Sequence, residues 1–257
     1  QITGSHNPAE YNGFKMMLGA GTLHGEGIAQ MRDLILSKDL EAAPEHGSIE
    51  GWDGLSASYL DWLEENLAGT GRDLKVVLDS GNGVAGVVAP DAVRRVFGAE
   101  VIELFSEPDA SFPNHHPDPT VEENLQHLIA AVKEHGADVG VAYDGDGDRI
   151  GLVDEKGGVI WGDKLMILLS RDVLSTIPGA TVIGEVKCSQ TLFDDIAANG
   201  GNAIMSAVGH SIIKAKIKET GAKLAGEMSG HIFFNDRYFG FDDAVYATCR
   251  VLEILSR

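Results

Sequence analysis

The sequence is poor in cysteine and in positive charge. Two cysteines, Cys188 and Cys249, are too few for a disulfide framework or a cysteine zinc site, and they predict reduced core thiols in a cytoplasmic protein. There are 20 Lys and Arg residues against 39 Asp and Glu, so the formal net charge is −19. We therefore expect neither nucleic acid nor an anionic membrane as a partner, because both are polyanions. No run approaches the roughly 20 apolar residues of a membrane span, and no signal pattern is present.

Glycine, by contrast, is abundant. The 257 residues include 32 glycines, and these recur after apolar runs, as in the strand-to-helix loops of α/β folds. The apolar runs predict three buried strands, over residues 74–79, 137–143 and 181–186. Helical spacing of apolar residues predicts helices between the strands, marked by Ile28, Met31, Leu34 and Ile35, by Leu125, Leu128, Ile129 and Val132, and by Ile212, Ile213 and Ile217. Gly136 and Gly221 are placed to end the last two helices.

Two turn-rich or acidic stretches, near residues 41–54 and 154–163, are candidate domain boundaries. They separate a first segment of roughly 50 residues from two segments of about 100 residues, and only the latter two approach the usual domain size. The first segment opens on Gln1, without a methionine and directly inside a motif. We therefore expect the chain to begin part-way through a domain.

The acidic loop Asp144-Gly145-Asp146-Gly147-Asp148-Arg149 is the strongest local signal. Its carboxylates alternate with glycine, so they can converge on one hard cation, and oxygen ligands suit Mg²⁺ or Ca²⁺ rather than zinc. An EF-hand is rejected because its sixth position requires Gly where Arg149 stands, and because both flanks look like strands. A Mg²⁺ site leaves positions open for phosphate oxygens, and Arg149 could hold the phosphate. The alternative is a solvated acidic turn, in which close like charges would repel one another.

The opening Gly4-Ser5-His6-Asn7-Pro8 places a hydroxyl on a loop directly before a proline-led turn. Taken alone, the pattern favours an ordinary helix N-cap, since Ser and Asn commonly cap helices and Pro favours a helix start. The functional interpretation is a nucleophilic or phosphorylated Ser5, with His6 and Lys15 as nearby proton or charge partners.

A glycine pattern supports a different class of enzyme. Gly81, Gly83 and Gly86 match G-x-G-x-x-G after a predicted strand, and Glu103 ends the next strand-like run at a suitable distance for a ribose contact. These residues define the alternative of an NAD-dependent oxidoreductase. The same spacing is common by chance, and it also occurs in tight strand-to-helix turns with close packing.

Three further groups give weaker signals. The run 112–119 clusters His with Asp, but no further His or Cys stands nearby at zinc-ligand spacing, and its prolines favour a rigid turn. Lys187 and His210 stand at a strand end or helix start, where a cationic or proton-exchanging group could face a phosphate. The loop 226–231 carries polar residues that could contact sugar hydroxyls, or it is an ordinary surface loop.

Together these segments resemble the α-D-phosphohexomutase family. Residues 5–8 and 11–15 are similar to its phosphoserine loop, the acidic loop is similar to its metal loop, and residues 226–231 are similar to its sugar-binding loop. The motifs occur in the family's order, and the resemblance runs over essentially the whole chain. Within the family, Met228 and the run 112–119 resemble the bacterial phosphomannomutase/phosphoglucomutase branch.

The resemblance implies four α/β domains around a central cleft. This chain would hold consecutive mixed-sheet α/β domains of the phosphohexomutase type, with the first domain truncated and the fourth domain absent. Residues 1–53 would be the end of domain 1 with the phosphoserine loop, 54–157 domain 2 with the metal loop, and 158–257 domain 3 with the sugar-binding loop. We expect the chain alone to isomerise poorly, because the family's fourth domain clamps the non-reacting phosphate of the substrate.

The resemblance also implies an isomerase that interconverts hexose 1-phosphate and hexose 6-phosphate, of mannose or glucose. A phosphorylated Ser5 would donate its phosphoryl group, and the resulting hexose 1,6-bisphosphate, intermediate and activator, would return the other one. The implied Mg²⁺ ligands are Ser5, Asp144, Asp146 and Asp148. The implied catalytic residues are Ser5, His6, Lys15, Arg149 and His210, and the implied substrate-binding residues are Lys187, Glu227, Ser229 and His231. The remaining alternative is a non-catalytic sugar-phosphate or metal-binding remnant of such an enzyme.

Overall fold

The computed structural model describes residues 1–8, 10–19, 21–38, 40–41, 44–45, 47–69 and 73–257. Positions 42, 43 and 46, in the first predicted boundary, lie outside the described residues. In the amino-terminal segment, β1 (Met17–Leu18) pairs antiparallel with β2 (Gly21–Thr22), and helix α1 spans Glu26–Ser37. The helix forms where apolar spacing predicted one, but none of its residues is buried.

A five-stranded mixed sheet follows. Its strands are β3 (Lys75–Asp79), β4 (Glu100–Leu104), β5 (Val139–Tyr143), β6 (Ile150–Asp154) and β7 (Val159–Ile160). The spatial order is β4-β3-β5-β6-β7, and the first three strands are parallel while the last two run antiparallel to their neighbours. The same region contains the helices α2 (Leu55–Asn66), α3 (Ala89–Phe97) and α4 (Gln126–His135). The acidic loop is therefore the tip of an antiparallel hairpin between β5 and β6.

A four-stranded sheet completes the chain. Its strands are β8 (Thr181–Glu185), β9 (Asn202–Ser206), β10 (Leu224–Gly226) and β11 (Ile232–Phe234), in the spatial order β11-β10-β8-β9. Only the pair of β10 and β11 is antiparallel in this sheet. The accompanying helices are α5 (Gly162–Thr176), α6 (Gln190–Ala198), α7 (His210–Thr220) and α8 (Ala244–Leu255). Within the described residues, no helix has both the length and the apolar character needed to cross a membrane.

Local sequence chemistry explains these elements. Parallel strands that are covered on both faces read as apolar runs, and every residue of β5 is buried. The predicted strands at 74–79, 137–143 and 181–186 are confirmed, with bounds shifted by at most two residues. The helices α4 and α7 end at Gly136 and Gly221, whose φ angles of 59° and 69° are left-handed, as the sequence predicted.

One apolar core connects the two larger sheets. It runs from Leu60 of α2 through Val93 of α3 to Leu252 of α8, and it includes strand residues of both sheets. A buried hydrogen bond of 2.9 Å between Tyr143 Oη and Thr248 Oγ1 also joins β5 to α8. Because the sheets share this core, the loops that follow β5 and β10 are held in a fixed relation to each other.

The glycine pattern after β3 provides a test of this packing. A β-carbon added at Gly86 would lie 2.1 Å from the carbonyl oxygen of Ser106, whereas one added at Gly51 meets nothing closer than 3.9 Å. We expect Gly86→Ala to lower the free energy of unfolding by about 2–3 kcal/mol, since backbone must move to admit the methyl group. The control Gly51→Ala should stay within about 0.5 kcal/mol. Urea denaturation of both variants measures this, and equal midpoints would contradict the close packing.

Candidate active site

The loop that carries Ser5 is held at its base by backbone pairing. Thr3 N donates to the Gly13 carbonyl at 3.0 Å, and the chain then turns tightly, since a β-carbon at Gly4 would lie 2.7 Å from the Tyr11 carbonyl oxygen. Ser5 itself has a φ angle of 54°, in the left-handed region that non-glycine residues rarely adopt. Its N–H donates to Thr3 Oγ1 at 2.8 Å. Such a backbone conformation persists where surrounding contacts impose it, and it is frequent at functional sites.

The acidic loop is folded around its first carboxylate. Asp144 Oδ1 accepts hydrogen bonds from the N–H groups of Asp148 and Arg149, at 3.0 and 3.1 Å. Gly147 has a φ angle of 74°, which favours glycine at this position. The hairpin thus turns back on itself and directs its alternate carboxylates toward one side.

The two loops meet in direct contact. A β-carbon at Gly145 would lie 2.3 Å from the Ser5 carbonyl oxygen, so only glycine allows this approach. Ser5 Oγ donates to Asp144 Oδ2 at 3.0 Å, and Thr3 Oγ1 donates to Asp146 Oδ2 at 2.8 Å. The predicted nucleophile and the predicted metal loop are therefore adjacent, although 139 positions separate Ser5 from Asp144 in the sequence.

The carboxylates of the acidic loop suit a divalent cation. One oxygen from each of Asp144, Asp146 and Asp148 lies within 4.8 Å of the others. Asp146 Oδ1 and Asp148 Oδ1 are buried without a hydrogen-bond partner among the described residues, a situation that costs free energy unless a cation or water meets them. Oxygen donors of this kind are those that Mg²⁺ prefers. The residues present therefore fit the ion that the family resemblance implies.

Lys15 supplies the nearest positive charge to this cluster. Its Nζ atom donates to Asp146 Oδ2 at 2.8 Å and to Asp148 Oδ2 at 2.5 Å. Burial opposes the charged ammonium, but Asp148 and Asp146 outweigh it and raise the pKa of Lys15 above its usual value. Burial and the repulsion of Asp148 and Asp146 raise the pKa of Asp144 to about 7. One ammonium thus compensates only part of the negative charge.

Arg149 is oriented by the second sheet. Its Nε atom donates to His231 Nε2 at 3.1 Å and lies 3.8 Å from Asp144 Oδ2. His231 Nδ1 in turn lies 3.0 Å from Asp242 Oδ2 and 3.4 Å from Asp148 Oδ1. Burial lowers the pKa of His231, but Asp242 and Asp148 reverse that effect and raise it. The side chain of His231 is only 7% exposed, because it is packed between the acidic loop and Asp242.

His6 lies against the Ser5 hydroxyl. Its Nδ1 atom is 3.0 Å from Ser5 Oγ, and its Nε2 atom is 3.9 Å from Asp118 Oδ2. Burial and the charge of Arg149 lower the pKa of His6 below its usual value, which favours the neutral ring. The run 112–119, which the sequence associated with a rigid turn, therefore reaches the Ser5 loop through Asp118.

The predicted sugar-binding residues lie on the second sheet. Glu227 is buried, and its Oε1 atom accepts a hydrogen bond of 2.6 Å from Gly209 N, directly before His210. Ser229 Oγ donates to Glu227 Oε2 at 3.4 Å. His210 stacks on His231 with ring centroids 5.8 Å apart, and burial lowers its pKa. Lys187 is exposed, and its N–H donates to Glu185 Oε2 at 3.0 Å.

The structure brings most of the predicted site residues into one network and leaves the others outside it. Ser5, His6, Lys15, Arg149 and the three aspartates form one contact network, which His231 extends to His210. A cavity of about 560 Å³ is lined by Lys15, His210 and acidic-loop residues, and another of about 530 Å³ is lined by Ser5. Glu227, Ser229 and Lys187 are not among the residues that line these two cavities.

Several residues of this network were missed by sequence reasoning. Thr3, Asp118, Asp242 and Lys214 each contact a predicted residue or its direct neighbour; Lys214 Nζ, for example, donates to Asp242 Oδ1 at 3.0 Å. Thr3, Asp242 and Lys214 stand outside the predicted motifs, and Asp118 belongs to the run 112–119, for which the sequence favoured a rigid turn. The helical spacing of His210 and Lys214, four residues apart on α7, is the one signal that would have placed Lys214 on the same face.

Comparison with known proteins gives the class. The model for phosphoglucomutase/phosphomannomutase, alpha/beta/alpha domain II, matches residues 57–158, and that for domain III matches residues 161–257. The chain is 50% identical over 256 residues to a phosphomannomutase/phosphoglucomutase of Pseudomonas aeruginosa, covering 100% of this chain and 54% of that protein. It is 49% identical over 255 residues to a phosphoglucomutase of Neisseria gonorrhoeae, covering 99% of this chain and 55% of that protein.

A solved structure agrees with these matches. The crystal structure of a phosphoglucomutase/phosphomannomutase family protein from Burkholderia thailandensis has a TM-score of 0.95 and 46% identity, covering 100% of this chain and 55% of that chain. The chain belongs to the phosphoglucomutase/phosphomannomutase family. It spans about half the length of the curated relatives it matches. The predicted fold class, with mixed α/β sheets and a chain that is partial relative to the family, is confirmed.

The dinucleotide alternative has no support from the structure. The glycines after β3 approach backbone instead of an open phosphate site: β-carbons at Gly83 and Gly86 would lie 2.9 Å from Gly145 O and 2.1 Å from Ser106 O. Glu103, the predicted ribose contact, accepts a hydrogen bond of 2.5 Å from Arg94 Nη2. The pattern therefore serves a tight turn, and Gly83 packs directly against the acidic loop.

Removing one carboxylate of the acidic loop tests the metal site. Asp146→Asn takes away one negative ligand, so the affinity of the chain for Mg²⁺ should fall by about tenfold or more. Asp91→Asn on α3 is the matched control, because this carboxylate is 64% exposed in its side chain and takes no part in the site. Isothermal titration with Mg²⁺ measures both. A dissociation constant for Asp146→Asn equal to that of Asp91→Asn would exclude Asp146 as a ligand.

Proposed function

We propose that the protein to which this chain belongs is a phosphohexomutase, which interconverts the 1-phosphate and 6-phosphate of mannose or glucose. The observation that carries the proposal is the contact of Ser5 Oγ with Asp144 Oδ2, inside a cluster of three aspartates beside Lys15 and Arg149. A hydroxyl among cation-binding carboxylates suits a group that carries a phosphoryl between turnovers. The names of the relatives from Pseudomonas aeruginosa and Neisseria gonorrhoeae agree with this chemistry.

In this proposal Ser5 is phosphorylated in the resting protein. Phosphoserine carries a charge of about −1.5 to −2, and it needs opposing cations where carboxylates are already close. Mg²⁺ bound to Ser5, Asp144, Asp146 and Asp148 would neutralise charge on the transferred group. Arg149, fixed by His231, directs its guanidinium toward the same group, and planar guanidinium suits phosphate oxygens.

His6 and Lys15 would handle charge and protons near Ser5. The Ser5 hydroxyl donates its one proton to Asp144 Oδ2, so the neutral ring of His6 would donate through Nδ1–H to Ser5 Oγ when the phosphoryl group has left, which keeps the hydroxyl oriented. Lys15 stays protonated because of Asp146 and Asp148, so it acts by its positive charge rather than as a base. His210, which has a lowered pKa and lines the cavity shared with Lys15, is the better candidate for proton exchange with a sugar hydroxyl.

The substrate class is a hexose phosphate, with hexose 1,6-bisphosphate as intermediate and activator. Glu227 and Ser229 would contact sugar hydroxyls, Lys187 would meet a phosphate, and His231 would act through Arg149. In domain terms we propose 1–53 as the end of domain 1, 54–157 as domain 2 and 158–257 as domain 3. Buried free thiols at Cys188 and Cys249 support a cytoplasmic setting. We expect the chain by itself to isomerise poorly, as a partial phosphohexomutase lacks part of the substrate positioning.

Phosphoryl transfer to Ser5 is the direct test. The purified chain is incubated with Mg²⁺ and glucose 1,6-bisphosphate that carries labelled phosphate, and the label on protein is counted. We expect label on the wild type and on the control Ser48→Ala, whose hydroxyl is on an exposed loop, but not on Ser5→Ala. Equal label on Ser5→Ala would exclude Ser5 as the acceptor. No label on any of the three would favour a non-catalytic remnant that retains the loops.

A further inference from the structure

Asp243 is a carboxylate that the proposed reaction does not use, yet it is the centre of a dense set of hydrogen bonds. Tyr59 Oη donates to its Oδ2 and Oδ1 atoms at 2.9 and 3.1 Å, and Tyr238 Oη donates to Oδ2 at 2.6 Å. Tyr246 N donates to Oδ1 at 2.9 Å, so Asp243 is also the N-cap of α8. Burial raises the pKa of Asp243, although these donors oppose that effect. In the described part of the chain, no ion pair compensates this carboxylate.

The two tyrosines come from different parts of the fold. Tyr59 lies on α2, which packs against α3, a helix that contacts the edge strand β4 of the five-stranded sheet. Tyr238 lies five residues before Asp243, on the connection from β11 to α8. The Tyr59 bond therefore crosses from α2 to the start of α8, whereas the Tyr238 bond stays within one connection. Both bonds end on the same carboxylate oxygen, Oδ2.

Ala244 contacts the acidic loop directly, and Asp242 contacts it through His231. Ala244 N, the first helical N–H of α8, donates to the Gly147 carbonyl at 3.1 Å. Asp242 lies 3.0 Å from His231 Nδ1, the atom that is also 3.4 Å from Asp148 Oδ1. We call residues 242–244 the aspartate strap. The strap holds Gly147, the residue between Asp146 and Asp148. It also directs the N-terminus of α8, which is the positive end of the helix dipole, at the acidic loop.

We propose that Asp243, tied to α2 by Tyr59, is a positioning residue for the metal site. It holds the strap where Ala244 N donates to the Gly147 carbonyl, and this contact keeps the carboxylates of the acidic loop converged. The inference rests on the proposed metal site. An N-cap alone would need only the bond from Tyr246 N. The Tyr59 bond is superfluous for capping. It ties the start of α8 to α2, in addition to the bonds of Ala244 N with the Gly147 carbonyl and of Thr248 with Tyr143.

A pair of single-hydroxyl deletions separates positioning from plain stability. Tyr59→Phe and Tyr238→Phe each remove one hydrogen bond to Asp243 Oδ2, so both should lower the melting temperature by similar small amounts. Only Tyr59→Phe removes the hydrogen bond between α2 and the strap, while the ring contacts of Trp62 on α2 with Tyr238 and Tyr246 remain in both variants. We expect its dissociation constant for Mg²⁺ to rise about five- to tenfold, as for other residues that orient metal ligands, and that of Tyr238→Phe to change by less than about twofold.

A second pair removes the contact of the strap with the loop itself. Ala244→Pro replaces the N–H that reaches the Gly147 carbonyl, at a first helical position where proline is otherwise tolerated. Gln190→Pro makes the same change at the first helical position of α6, away from the acidic loop. We expect Ala244→Pro to bind Mg²⁺ at least about tenfold more weakly, and Gln190→Pro to bind it as the wild type does.

Isothermal titration with Mg²⁺ and thermal unfolding, both on the purified chain, provide the readouts. Weaker binding by Tyr59→Phe at a melting temperature equal to that of Tyr238→Phe supports the proposal. Unchanged binding by Tyr59→Phe, with wild-type binding intact, overturns the positioning role and leaves the metal site standing. Equal weakening by both tyrosine variants also overturns it, because the crossing bond would then have no special effect. Absence of Mg²⁺ binding by the wild type overturns the metal site and this inference together.

Discussion

The convergence of three aspartates at the tip of one hairpin is the constraint on which this site depends. Carboxylates within 4.8 Å of one another repel strongly when they are buried, and Lys15 compensates only part of that charge. Burial together with this repulsion raises the pKa of Asp144, and among the described residues the buried atoms Asp146 Oδ1 and Asp148 Oδ1 accept no hydrogen bond. A divalent cation bound among these carboxylates would offset this cost.

The rest of the structure serves to hold that arrangement in place. Glycines at 83 and 145 let backbone approach the acidic loop from two sides, one from the turn after β3 and one from the Ser5 loop. The second sheet contributes His231, which orients Arg149, and α8 contributes the N–H that meets Gly147. Three segments that are distant in sequence therefore define one site. Its charge is locally mixed, although the chain as a whole has a net charge of −19.

Sequence patterns predicted the fold well, because strands and helix ends are marked by residues that are close together in the sequence. Apolar runs predicted β3, β5 and β8, and glycines predicted the ends of α4 and α7. The cation site that the spacing of the acidic loop predicts stays a prediction. The contacts of His231 were not predictable, since a histidine beside a sugar-binding motif gives no sign that it is buried against Arg149. The same holds for Tyr59 and Asp243, which lie 184 positions apart and meet only because α2 and α8 share a core.

The most direct test of the account is anomalous diffraction from crystals of the chain grown with Mn²⁺ in place of Mg²⁺. The account predicts one strong peak at about 2.0–2.4 Å from oxygens of Asp144, Asp146 and Asp148 and close to Ser5 Oγ, with Lys15 Nζ moved away from the carboxylates it now bridges. A peak held instead by Asp148, His231 and Asp242, the other group of metal-ligating side chains in the described residues, would contradict it. So would a difference map without a peak, in which Lys15 remains between Asp146 and Asp148.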